Sequence, residues 1–227
     1  MKTKLLFLIG FFCLSLFVIA QEDNDTVITV GYPHHKEMSE NRRIFYKNKI
    51  AQMNIDYKIP NKFQGDTIYY RITCQKMSFA FSDFFNIFGR AYSFLKSKDD
   101  EMVVFLSLDT IADANKEIER RVVDNFTYLE NTAEKWQEKV MYYTSQQAKR
   151  IFNADKAFKY SFDLPSEFYL KENGKEYKYI EKLFILRDGN RFIDYTCFYT
   201  DKAKKRFDKY WKPLEHTLRY KEYNSNF

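Results

Sequence analysis

Three histidines, three cysteines and a scatter of carboxylates are the residues whose side chains could do chemistry in this chain. His34 and His35 are adjacent, so on an extended strand they point to opposite sides, with only Glu37 near as a further donor. A closed metal site needs three or four converging ligands, and solvated loop histidines are the plainer reading. His216 lies two residues from Leu214 and Leu218 on a helical stripe, which turns it towards solvent. Cys74 and Cys197 sit inside apolar strand-like runs, where a thiol acts as a small core residue unless a histidine reaches it. No glycine-flanked serine elbow and no glycine-rich phosphate loop after a strand is present. Paired carboxylates for glycoside hydrolysis can come from distant strands, and spacing does not single them out. The residues indicate no catalytic, cofactor-binding or metal-binding set.

Two features remain as candidates. Lys202, Arg206 and Lys209 fall on one side of a C-terminal helix and form a candidate basic surface for an acidic glycan or an anionic lipid headgroup. The alternative is a solvated face whose lysine stems cover aromatics below. Cys74 and Cys197 are a candidate disulfide, because an exported chain meets an oxidising compartment. Such a bridge would close a loop of about 120 residues, worth about 4–5 kcal/mol on the chain-entropy model. It forms only where the two Cα atoms lie within about 7 Å, and a free, buried pair is the alternative.

Export is read from the N-terminus. Lys2 and Lys4 precede an apolar core from Leu5 to Ala20, and Val18-Ile19-Ala20 before Gln21 has the small-residue pattern of a cleavage site. The core is shorter than the ~20 residues of a spanning helix, so residues 1–20 are expected to be a signal peptide that leaves no stable membrane anchor. Phe12 before Cys13 is too large for a lipid-attachment site. Cleavage removes two lysines and no acids, taking the formal charge from +6 to +4. That mild excess, spread along the chain, excludes a dedicated nucleic-acid binder. With 23 phenylalanines and 18 tyrosines, most of the aromatic load must be core.

The elements that position these residues can be read in order. Residues 21–50 are expected to be a poorly ordered or loosely docked leader, and residues 51–227 a single α+β domain without linkers. Strands are expected over 54–59, 67–74, 140–143 and 157–164, with a hairpin over 91–108 that turns at Lys98-Asp99-Asp100. Phe79, Phe81, Phe84, Phe85 and Phe88 form an aromatic cluster read as core. Asp109 or Thr110 is expected to open a helix with Ile111, Ala114, Ile118, Val122 and Phe126 on one face. Ser145 caps a shorter helix, Asn153 stops it, and residues 166–175 form a loop. Ile180 to Leu186 and Phe192 to Tyr199 make a second hairpin across Asp188-Gly189-Asn190. Thr200 or Asp201 then caps a helix with Ala203, Phe207, Tyr210, Leu214 and Leu218 on one stripe, bent but not ended at Pro213. The pattern predicts one antiparallel sheet of roughly six to eight strands covered by amphipathic helices.

The closing unit, a strand pair followed by KRFDKYWKPLEHTLRY, resembles the ending of PsbP-like domains. The early strand running into Ile59-Pro60 and Phe63 is similar to their beginning. The resemblance touches about sixty residues and implies an antiparallel sheet between helical layers, with a non-catalytic role in binding or assembly. The chain is also similar to uncharacterised exported bacterial proteins. The expected function is a secreted or periplasmic module binding an unknown protein or glycan of the cell envelope. The alternative is a hydrolase acting on envelope or glycan substrates through scattered carboxylates.

Overall fold

The computed structural model describes residues 26–30, 36–65, 70–74, 93–130, 136–166 and 169–222. The aromatic cluster at 79–88, the signal segment, and His34 and His35 lie outside the described residues.

A hairpin forms the centre. Strands β11 (Tyr179–Arg187) and β12 (Arg191–Tyr199) pair antiparallel from Tyr179↔Tyr199 to Arg187↔Arg191. The turn takes positive φ at Asp188 (56°) and Gly189 (70°), the backbone that this Asp-Gly pair favours. β6 (Met102–Thr110) lies beside β12, and β8 (Lys156–Asp163) lies beside β11. β5 (Ser93–Ser97) and β3 (Phe63–Gly65) extend one side, and β7 (Met141–Tyr142) caps the other. The result is a seven-stranded antiparallel sheet in the order β3-β5-β6-β12-β11-β8-β7. Two smaller sheets accompany it. One has the order β1 (Thr26–Val30), β4 (Tyr70–Cys74), β9 (Leu170–Glu172), β10 (Lys175–Tyr177), and the other pairs β13 (Leu218–Tyr220) with β2 (Ile55–Tyr57).

Both faces of the main sheet are covered, which is why Leu183–Leu186 reads as a continuous apolar run and not as an alternation. Ile180, Phe184 and Leu186 join the core with Phe158, Phe162, Phe192 and Phe198 on one face. Leu183 and Ile185 join Leu106, Ile193, Tyr195 and Cys197 on the other. The first face is covered by α2 (Ala114–Glu130), through Ile118, Val122 and Phe126. The second packs on α1 (Lys36–Gln52), α4 (Ser145–Phe152), α5 (Asp201–Lys204) and α6 (Phe207–Glu215), with the short α3 (Trp136–Lys139) preceding α4 in the chain. The α+β class is as the sequence predicts.

Several elements differ from the expectation. The helix expected at Asp109 or Thr110 begins at Ala114, because β6 keeps pairing with β12 as far as Arg191↔Thr110. Asp113 Oδ1 accepts from the Lys116 amide at the true start. The expected loop at 166–175 contains the β9–β10 hairpin, turned at Asn173 (φ 50°) and Gly174 (φ 74°). Within the expected leader, α1 is a helix of 17 residues whose C-terminal half docks, with Tyr46 buried and Met53 just beyond its end buried too. The last helix is two helices: the break falls at Lys205–Arg206 and the chain leaves α6 at His216. Pro213 is inside α6, as expected, but Leu218 is a strand residue paired to Tyr57, so its agreement with the helical phase is accidental. Pro213 removes the amide that would bond the Lys209 carbonyl, and Lys62 Nζ reaches that carbonyl at 3.3 Å.

Candidate functional site

Thr200 ends β12 and starts α5 by accepting from the Ala203 amide, so the hairpin and the helices after it form one unit. The three predicted basic residues ride on the outer side of this unit. Lys202, Arg206 and Lys209 are all exposed. Lys202 Nζ lies 3.1 Å from Glu101 Oε1, and Lys209 Nζ lies 3.9 Å from Asp99 Oδ2, both on the β5–β6 turn. The structure therefore brings two of the three to an acidic turn and leaves Arg206 at the break between helices.

Glu101 is the node of that turn. Its side chain is 6% exposed and accepts from Lys175 Nζ at 2.6 Å, from Lys202 and from the Thr200 hydroxyl. Burial pushes its carboxyl up, but the donors from Lys175, Thr200 and Lys202 more than offset this and hold it below the usual range. For Asp99, burial likewise raises and the hydrogen bond from Tyr210, at 2.7 Å, helps to lower, with a net downward shift.

Beneath the helices runs a strip that no short sequence motif announces. Tyr179 stacks on Tyr199 (centroids 5.4 Å), Tyr199 packs on Phe207 (5.0 Å) and Phe207 stacks on Trp211 (5.4 Å). Lysines cover its ends: Lys204 Nζ is 3.8 Å from the Tyr179 centroid and Lys159 Nζ 4.6 Å from that of Trp211. Lys159 also pairs with Glu181 at 2.9 Å. Glu215 Oε1 accepts from Tyr143 Oη at 2.5 Å and from Trp211 Nε1 at 2.6 Å, tying α6 to the chain leaving β7.

Desolvation raises Glu181, only partly countered by Lys159, and the charge of Glu215 pushes it further up. Tyr179 is raised to about 12 by its hydrogen bond to Asp201. Burial pushes the Cys197 thiol well up, which keeps it protonated and inert as a nucleophile. The one sign in the sequence is Glu181, a charge inside an otherwise apolar run of a central strand; its neighbour Lys182 faces the opposite side of the sheet.

The other predicted residues are placed as follows. His216 is exposed at the C-terminus of α6. Cys197 is buried and free, in the middle of the seven-stranded sheet, whereas Cys74 lies on β4 of the four-stranded one. Among the described residues no group of three or more histidines, cysteines or carboxylates could hold a metal ion. No described helix is long and apolar enough to cross a membrane.

Comparison with protein-family models and with curated proteins gives no match. Among solved structures, the chain is similar to LpqN of Mycobacterium tuberculosis, a protein involved in cell envelope biogenesis. The TM-score is 0.38 and the identity 11%, over 73% of this chain and 82% of LpqN. It is also similar to cyanobacterial PsbP of Synechocystis, with TM-score 0.39 and 5% identity, over 86% of this chain and 92% of that one. The resemblance to a PsbP-like protein and to a bacterial envelope protein is weak and partial.

Proposed function

We propose that this chain is an exported, non-catalytic binding or assembly module whose contact surface is the outer, basic side of α5 and α6. The observation that carries the reading is how the polar groups beneath that surface are used. Glu215 accepts from two ring donors, Glu181 is held by Lys159, and Glu101 is held by two lysines and a threonine. The Glu101 and Glu215 contacts fix the helices on the sheet, the Glu181–Lys159 pair joins neighbouring strands, and none of them gives a nucleophile with a base beside it. Exposed on the outer side are Lys202, Lys204, Lys205, Arg206, Lys209 and Lys212, of which Lys202 pairs with Glu101, Lys204 with Asp163, Lys209 with Asp99 and Lys212 with Asp208. A rigid helical pair bearing such a row suits an acidic protein or glycan of the cell envelope. Residues 1–20, read as a cleaved signal, would deliver it there.

The test is quantitative co-purification from the native envelope, wild type against Arg206→Glu. One partner, lost in the variant and released as salt rises, is the expected result. Equal recovery by both proteins would overturn the assignment of the surface.

One observation favours a second reading. Burial raises the Glu181 carboxyl and the charge of Glu215 pushes it further up, the environment that suits a general acid. A hydrolase predicts cleavage of an envelope glycan that Glu181→Gln abolishes, and a binding module predicts none with either protein.

A further inference from the structure

The α2 side of the main sheet carries charges within its aromatic core. Lys182 and Asp194, on neighbouring strands, have fully buried side chains, with Nζ 3.2 Å from each carboxylate oxygen. The Thr196 hydroxyl lies 3.4 Å from Asp194 Oδ1. From α2, Arg121 sets its guanidinium 5.0 Å over the Phe192 ring and its Nε 2.8 Å from Glu117. Tyr160 on β8 stands directly beside Lys182 in register.

Three buried atoms here have no hydrogen-bond partner within the described residues: Tyr160 Oη, Arg121 Nη1 and Asn125 Oδ1. Arg121 Nη1 is 3.5 Å from Asp194 Oδ2, an ion-pair contact too long for a good direct hydrogen bond, so its N–H groups remain to be satisfied. The Asn125 amide nitrogen is committed to the Arg121 carbonyl, which leaves its oxygen as the atom to be satisfied. Buried polar atoms in native proteins are almost always paired, with protein or with ordered water.

We infer that this cluster is an internal water-binding site, with a water bridging Tyr160 Oη, Arg121 Nη1 and the Asp194 carboxylate. The ligand class follows from the donor set. Arginine only donates, the Asp194 carboxylate only accepts and the tyrosine hydroxyl does both, so the bound molecule must also do both. Lys182 and Arg121 are matched by Asp194 and Glu117, so the cluster holds no charge excess that would select an ion. Buried waters occur at about one per 27 residues and make about three hydrogen bonds each, which is the number this site provides.

The test is a crystal structure of the intact chain at a resolution that shows ordered water, for wild type and for Tyr160→Phe, with denaturant melts of both. The expected result is a wild-type water within hydrogen-bonding reach of Tyr160 Oη and either Arg121 Nη1 or Asp194. In Tyr160→Phe it is lost or displaced, and the denaturation midpoint falls. A wild-type structure without that water overturns the inference, and so does a water that stays unmoved in the variant. Should the variant fail to fold, the wild-type structure alone decides.

Discussion

Two buried glutamates have opposite titration behaviour. Glu101 is held below the usual range by its donors, so its stabilisation is fully present above the ordinary glutamate pKa. That stabilisation is lost as pH falls through its lowered folded value. Glu101→Gln should cost about 1.5–3 kcal/mol at neutral pH, the range for hydrogen bonds to a charged group. Its deficit against wild type should shrink in acid, read by urea melts at several pH values. Glu181 is raised, so its charged form opposes folding at neutral pH, and that opposition disappears as pH falls through its raised value to the ordinary range. Glu181→Gln should therefore raise the urea midpoint at neutral pH and lose the advantage in acid. A lower midpoint at neutral pH would mean that Lys159 gains more from the charge than burial costs. Neither role was legible in the sequence. Glu101 follows the turn acids Asp99 and Asp100 with nothing in the sequence to set it apart, and the partners of Glu181 are 22 and 34 residues away in the chain, at Lys159 and Glu215.

At the scale of elements, the C-terminal hairpin and its helices stand or fall together. Trp211 is 4% exposed, stacked on Phe207 and bonded to Glu215. Trp211→Ala should cost about 3–5 kcal/mol in denaturant melts, as for a buried large aromatic. A loss below about 1 kcal/mol would show that α6 is not core. The hairpin was legible because turn residues, strand composition and helix cap all agreed. The break at Lys205–Arg206 was not, since no proline or glycine marks it and the apolar spacing runs on across it. The start of α2 was misplaced for a related reason: Asp109 and Thr110 are good caps locally, but strand pairing with Phe192 and Arg191 overrides that preference.

For the whole molecule, an antiparallel sheet of roughly six to eight strands covered by helices was readable from strand runs; helical layers on both faces were implied only by the PsbP-like resemblance, and strand order was not readable. That order bears on Cys74 and Cys197, which lie on different sheets. Protein isolated from the oxidising compartment, denatured and alkylated without reduction, should carry two modified thiols and begin near Gln21. A mass lacking both modifications would establish the bridge instead. The proposed surface is also a property of the whole fold, because the β5–β6 turn, the central hairpin and α5–α6 must meet before the lysine row is displayed. Photo-crosslinking in the native envelope tests it most directly, with the reactive side chain placed at Lys205 on the basic side or at Lys149 on α4, both exposed. A discrete adduct from position 205 and none from 149 is the predicted outcome. Equal adducts from both positions, or none from 205, would contradict a binding module that works through this surface.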